Sequence, residues 1–198
     1  MLNIEKLRLY KSYLNTLQNT LDKYFENQKE YICCKKGCSL CCEKGIYPYS
    51  EIEYAYLVLG FFQLDKEKQV EILERIKSLK DEYLKSDKNE KFIHRCPFLD
   101  ESGSCQVYEY RGIICRTFGL LQMNKDGKIT RPFCGDKGLN YSKVFDEDDM
   151  LDLEAVKNLG YKHYPQAFEI TLGRLTDKRI FTDEILDFGE EKPLIEWL

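Results

Sequence analysis

The stretch YICCKKGCSLCCEKG, Tyr31 to Gly45, holds five of the chain's nine cysteines within ten positions. No other feature limits the fold so tightly. Thiols this close leave three outcomes: a metal site, disulfides, or inert packing in a core. The start, MLNIEKLRLYKSYL, scatters charges and has no continuous apolar run. It therefore reads as neither a signal peptide nor a membrane span, and the expected location is the cytoplasm. Thiols stay reduced there, which favours metal or redox chemistry over a disulfide framework. The odd cysteine total also leaves at least one unpaired.

Within the run, Cys34, Cys38, Cys41 and Cys42 have the form CxxxCxxCC. On a helix these positions would share one stripe. A loop entering a helix through Gly37 is the other reading, and both predict converging sulfurs. Adjacent helical side chains point about 100° apart, so Cys41 and Cys42 are expected to serve different partners. A second group follows: Cys96, Cys105 and Cys115, then Cys134. With Cys33 set aside as inert packing, the candidate metal ligands are these eight. They suit two four-thiolate zinc sites, a four-thiolate iron–sulfur cluster with spare cysteines, or one of each, and spacing does not choose between zinc and iron. His94 lies close to Cys96 and is read as structural. An anionic thiolate site should gather basic neighbours, here Lys35, Lys36, Lys44, Arg95, Arg111 and Arg116. Arg111 and Arg116 are the candidates to support a bound cofactor from behind its thiolates. The CxxxCxxC spacing also occurs in radical SAM enzymes, but the repeated strand–helix units of that fold are missing.

Around the cysteines the patterning is mostly helical. Leu7, Tyr10, Leu14, Leu17, Leu21 and Tyr24 recur at three and four residues, predicting an amphipathic helix over about 3–27, with a coiled-coil or dimer seam as the alternative use of its stripe. Ser50 and Glu53 form a capping box for a helix ending near Gly60, and Asp65 is the N-cap of the next, with Ile72, Ile76, Leu79 and Tyr83 on one face. Asp126-Gly127 suits the turn of one small hairpin. DEDDMLDLEAVKNLGYKHY reads as a helix with acids at its start, and FTDEILDF as a short helix capped by Thr182. The expectation is a mainly α fold: a single domain over 1–198 of about six helices and one β-hairpin, its cysteine-rich metal site joining both cysteine groups in a core at about 31–137. A helical region at about 146–198 would complete it.

The net charge is −4, which argues against a nucleic-acid partner, and no span suggests a membrane. Residues 146–198 carry fourteen acids against six basic residues, a solvated acidic face open to a protein partner or protein substrate. There is no phosphate-cradling glycine loop or nucleophile elbow, so no catalytic residue is assigned.

The ordered set CxxxCxxCC, CPFL, a glycine-containing loop to Cys105-Gln106-Val107-Tyr108-Glu109, then Arg111 and Cys115-Arg116-Thr117-Phe118-Gly119, resembles a known family. It is similar to the bacterial YkgJ-type, or CxxCxxCC, cysteine-cluster proteins, described as zinc- or iron-chelating, with flagellin lysine methylase as a longer, distant likeness. The resemblance marks Cys34, Cys38, Cys41, Cys42, Cys96, Cys105 and Cys115 as motif cysteines, with Cys134 at the later position. The family often has Arg-Pro where this chain has Arg111-Gly112. The resemblance implies metal chelation, and the methylase likeness an iron–sulfur site supporting methyl transfer to a protein lysine. The alternative is a non-enzymatic, zinc-stapled helical module that binds a partner. Metal delivery or storage would need a more exposed site than thiolates drawn from such distant positions provide.

Overall fold

The computed structural model describes residues 4–35, 37–87, 90–123, 126–169 and 186–198. The chain is mainly α, as its patterning predicts. Its internal contacts sort it into two compact units, one of residues 1–10, 37–116 and 188–198, the other of residues 11–36 and 117–187. The first helix, α1 (Ile4–Asn27), buries the predicted stripe at Leu7, Tyr10, Leu14, Leu17 and Leu21. Tyr24 sets its ring edge-on to Phe168, centroids 5.2 Å apart. With the stripe buried inside the chain, it is not left as a coiled-coil seam.

In the first unit, α2 (Leu40–Glu43) is followed by strand β1 (Pro48–Ser50) and helices α3 (Glu51–Phe62) and α4 (Lys66–Lys85). The predicted capping box starts α3: the amide and hydroxyl of Ser50 donate to Glu53 Oε2 at 2.9 and 2.6 Å. α3 ends at Phe62, close to the expected end near Gly60, though Gly60 is not its cap. That glycine instead makes room, because a Cβ there would fall on the ring of Tyr110, which packs against Tyr56 at 4.9 Å between centroids. Asp65 caps α4 by accepting the Lys68 amide at 2.9 Å, and Ile72 and Leu79 are buried on the predicted face.

The second unit joins residues 11–36 to residues 117–187. Its strands β2 (Leu121–Met123) and β3 (Ile129–Thr130) form the expected antiparallel hairpin, Gln122 opposite Thr130, and Gly127 supplies the positive φ of +78° in its turn. Tyr31, Leu121, Tyr141, Val144, Phe145 and Val156 make the core of this unit, with Tyr31 stacked on Tyr141. Helix α6 (Leu153–Leu159) is capped by the Asp152 carboxylate, which accepts the amides of Glu154 and Ala155, both at 2.9 Å.

The C-terminal region holds strands that its sequence did not announce. β4 (Ala167–Glu169) runs parallel to β2, Leu121 opposite Ala167, and β5 (Glu191–Pro193) pairs antiparallel with β1, Pro48 opposite Pro193. A short helix α7 (Leu194–Trp197) follows β5 in the first unit. Residues 181–185 of the helix expected at FTDEILDF, with its Thr182 cap, lie outside the described residues, as does Lys36. Among the described residues, no helix is long and apolar enough to cross a membrane.

Candidate metal centre

Cys38, Cys41, Cys42, Cys96, Cys105 and Cys115 belong to the first unit. The cysteine run is a loop entering a helix, with Gly37 at φ +88° and only Leu40–Glu43 helical, so the single-stripe alternative does not form. Cys38 is exposed in the loop, and the Cys41 and Cys42 sulfurs stand 4.0 Å apart. The Cys42 carbonyl accepts the Cys96 amide at 2.8 Å, and Gly45 and His94 exchange two backbone hydrogen bonds of 3.1 Å. These bonds tie the first cysteine group to the second. Tyr47 reinforces the tie: its buried hydroxyl lies 2.9 Å from the Cys42 carbonyl oxygen and 3.2 Å from that of His94. A Cβ at Gly45 would meet the Tyr47 ring at 2.8 Å, so the residue facing this ring has to be glycine.

Cys96 and Cys105 are brought together by a turn. The Asp100 carboxylate accepts the amides of Ser102 and Ser104 at 2.9 and 2.8 Å, and Leu99 bridges to Cys105. From α4, Arg75 holds both ends of the segment through the Pro97 carbonyl at 2.8 Å and Gln106 Oε1 at 2.6 Å. Cys115 arrives on helix α5 (Ile113–Thr117), whose start is gripped by two side chains. Glu53 Oε1 accepts the Ile113 amide at 2.7 Å, and the Tyr49 hydroxyl accepts the Gly112 amide at 3.0 Å. A Cβ at Gly112 would stand 2.7 Å from Tyr49 Cζ. Proline has no N–H to give Tyr49 and no room beside it, which accounts for Arg111-Gly112 in this chain where the family often has Arg-Pro.

The sulfurs feel one another. Every pair among Cys42, Cys96, Cys105 and Cys115 lies within electrostatic reach. Burial pushes the Cys96 and Cys105 thiols up and takes Cys115 to about 12. Cys42 moves the other way, to about 7, chiefly through its hydrogen bond with Cys41 and further through the Arg111 charge. Arg111 acts on Cys105 and Cys115 as well. Arg116 does something different: it donates to the carbonyls of Arg111 and Glu109 at 3.1 and 2.8 Å and so shapes the loop that presents Arg111. Arg95 pairs with Glu43 at 3.2 Å.

Among the described residues, no three Cys, His, Asp or Glu side chains close on one point as a finished cage. The thiols of the first unit are gathered, not closed. As a donor set they fit zinc or iron, since soft thiolates favour both. His94 is a packing residue: its buried ring lies between Tyr47 and Phe92, and Nδ1 donates to the Arg95 carbonyl at 2.9 Å. Because a carbonyl can only accept, Nδ1 carries the hydrogen.

The second unit holds Cys33, Cys34 and Cys134. Cys33 is exposed, contrary to the expectation that it fills a core. Buried Asn140 organises this group, accepting the Cys33 amide at 2.7 Å and donating to Cys34 Sγ at 3.1 Å and the Gly119 carbonyl at 2.8 Å. A Cβ at Gly119 would sit 2.7 Å from the Cys34 sulfur, and its φ is +96°. Both Cys34 and Cys134 act electrostatically on the Tyr141 hydroxyl, whose pKa burial already raises. Sequence reasoning missed Tyr47, Tyr49, Glu53 and Asn140 as supports. The available signal was YPYS directly after the cysteines, two tyrosines that an extended segment turns to one side.

Half-buried thiols collected from three segments on a mainly helical scaffold define a cysteine-cluster protein. A family model described as "CxxCxxCC: Putative zinc- or iron-chelating domain" matches residues 33–135, more than half of the chain, and the chain belongs to that family. The match does not extend to the flagellin lysine methylase likeness. No curated protein and no solved structure matches the chain.

Proposed function

We propose that the chain binds zinc or an iron–sulfur cluster through the thiolates of Cys42, Cys96, Cys105 and Cys115. Cys41 lies beside Cys42, their sulfurs 4.0 Å apart, and Cys38 belongs to the same unit, while Cys34 and Cys134 are further candidate ligands in the second unit. The observation that carries this reading is the mutual electrostatic reach of four thiols drawn from three segments. The raised pKa values show that ionising these thiols together is unfavourable without a cation, which a bound metal would supply. Bound there, zinc would supply a structural staple or a Lewis acid, and an iron–sulfur cluster electron transfer. The chain's own part is to hold Cys42 partly ionised, to half-bury Cys96 and Cys115, and to offer the Arg111 charge to the thiolates. Redox or methyl-transfer chemistry on a protein substrate belongs to the iron form of this proposal and rests on resemblance alone. Metal and acid-labile sulfide content of anaerobically purified protein, with its visible spectrum, tests it: iron with sulfide and a brown colour support the cluster, and a colourless zinc protein rules the cluster out.

A second reading is favoured by the number of thiols that three segments bring to the first unit, all but exposed Cys38 partly buried. A four-thiolate donor set is the mark of structural zinc, here stapling a module for a protein partner. It predicts that chelation unfolds the protein, because metal-binding free energy is then folding free energy. Equal melting temperatures with and without metal would remove it.

Metal binding should depend steeply on pH. Cys96, Cys105 and Cys115 have raised pKa values and hold their protons at neutrality, while Cys42 near 7 is partly ionised. A metal must displace those protons, so affinity rises with pH by about four decades per unit well below neutrality and about three just above it. Competition titrations with a zinc indicator check this, and an apparent Kd that does not change with pH contradicts it.

A further inference from the structure

We infer that Tyr49 donates its hydroxyl hydrogen to the Cys115 sulfur and tunes that thiolate as a metal ligand, a role that rests on the metal reading above. The Tyr49 oxygen lies 3.0 Å from the Gly112 amide nitrogen and 3.4 Å from Cys115 Sγ. An amide N–H can only donate, so the hydroxyl oxygen accepts there. Its single hydrogen is left for the sulfur. The neighbouring Ile113 amide does not compete, because it is taken by Glu53 Oε1 at 2.7 Å.

The arrangement is rigid. Tyr49 is 2% exposed, and its backbone is fixed by pairing with Lys192 across the β1–β5 sheet and by the Trp197 indole N–H, which donates to its carbonyl at 2.9 Å. The glycine at 112 makes the approach possible, since any Cβ would strike the ring. Tyr49 and Gly112 thus work as a pair. A hydrogen bond to a ligating thiolate draws charge from the sulfur, favours the ionised form over the thiol, and lowers the electron density offered to the metal.

Cobalt(II), whose thiolate charge-transfer band reports sulfur electron density, is the probe for the full-length chain, with zinc affinity measured alongside by indicator competition. Tyr49→Phe keeps the ring and removes the hydrogen. It is expected to bind with unchanged stoichiometry, shift the band to longer wavelength, and lose about tenfold to a hundredfold in zinc affinity. A fluorotyrosine at position 49 keeps both ring and hydroxyl and is a stronger donor. It should shift the band to shorter wavelength, and this protein alone decides the matter if Tyr49→Phe fails to fold. Cobalt uptake by the wild type with a band that neither replacement moves overturns the inference and leaves the metal reading standing. A wild-type chain that takes up neither cobalt nor zinc overturns both.

Discussion

Replacing Cys96 with serine is expected to lower metal affinity by more than about a hundredfold, roughly 2.8 kcal/mol. Partners that only orient a ligand already contribute tenfold to a hundredfold, and Cys96 is proposed as a ligand itself. It is electrostatically coupled to Cys42, Cys105 and Cys115, and its amide is held by the Cys42 carbonyl at 2.8 Å, so no spare side chain takes its place readily. Serine preserves shape, but its hydroxyl is not ionised by zinc or iron as a thiol is. Cys33→Ser is the control: that side chain is exposed, and only the backbone amide of residue 33 is used, by Asn140. Zinc competition on the two variants separates them. Equal affinities for Cys96→Ser and the wild type would contradict the proposed ligand set.

The second large effect is on the scaffold. Glu53→Ala should cost about 3–5 kcal/mol, because three donors, the Ser50 amide, the Ser50 hydroxyl and the Ile113 amide, lose their acceptor in a buried place at about 1–3 kcal/mol each with partial relaxation. For a chain of this length that is a fall in Tm of roughly 10 °C. The loss has a pH signature. Burial raises the Glu53 pKa despite the three hydrogen bonds, so the folded state holds the proton more tightly than the unfolded chain does. The stabilisation from that proton is complete below the ordinary carboxyl pKa and is lost as pH rises through the raised one. The wild-type advantage over Glu53→Ala therefore narrows across that window. Thermal melts of both proteins through the acid range measure it, and a gap independent of pH would show that Glu53 does not titrate as described.

The same residue shows what could be read from the sequence. Ser50 and Glu53 are three positions apart, and the capping box they make is a local device, legible from their spacing alone. The Asp65 cap, the α1 stripe and the turn at Asp126-Gly127 are local in the same way. The second job of Glu53 is not. Its other oxygen holds Ile113, sixty residues later, and no periodicity encodes that meeting. The β1–β5 and β2–β4 pairings failed to announce themselves for the same reason, as three-residue strands too short to show alternation and joined across long separations. At the site, residue chemistry named the cysteines as candidates and Arg111 as a charge near them, and that charge does reach Cys42, Cys105 and Cys115. It treated Arg116 as a like neighbour, whereas that side chain is spent on two backbone carbonyls. Gly112, a departure from the resembled pattern in sequence, acquires a reason only once Tyr49 is seen against it.

The most direct test of the account is the metal content of the full-length protein purified without oxygen and without chelator, measured by elemental analysis beside the Cys96→Ser variant. At least one zinc or iron per chain in the wild type, and markedly less in the variant, is the predicted result. A wild-type protein that carries neither metal, and takes up neither when they are supplied under reducing conditions, would contradict it.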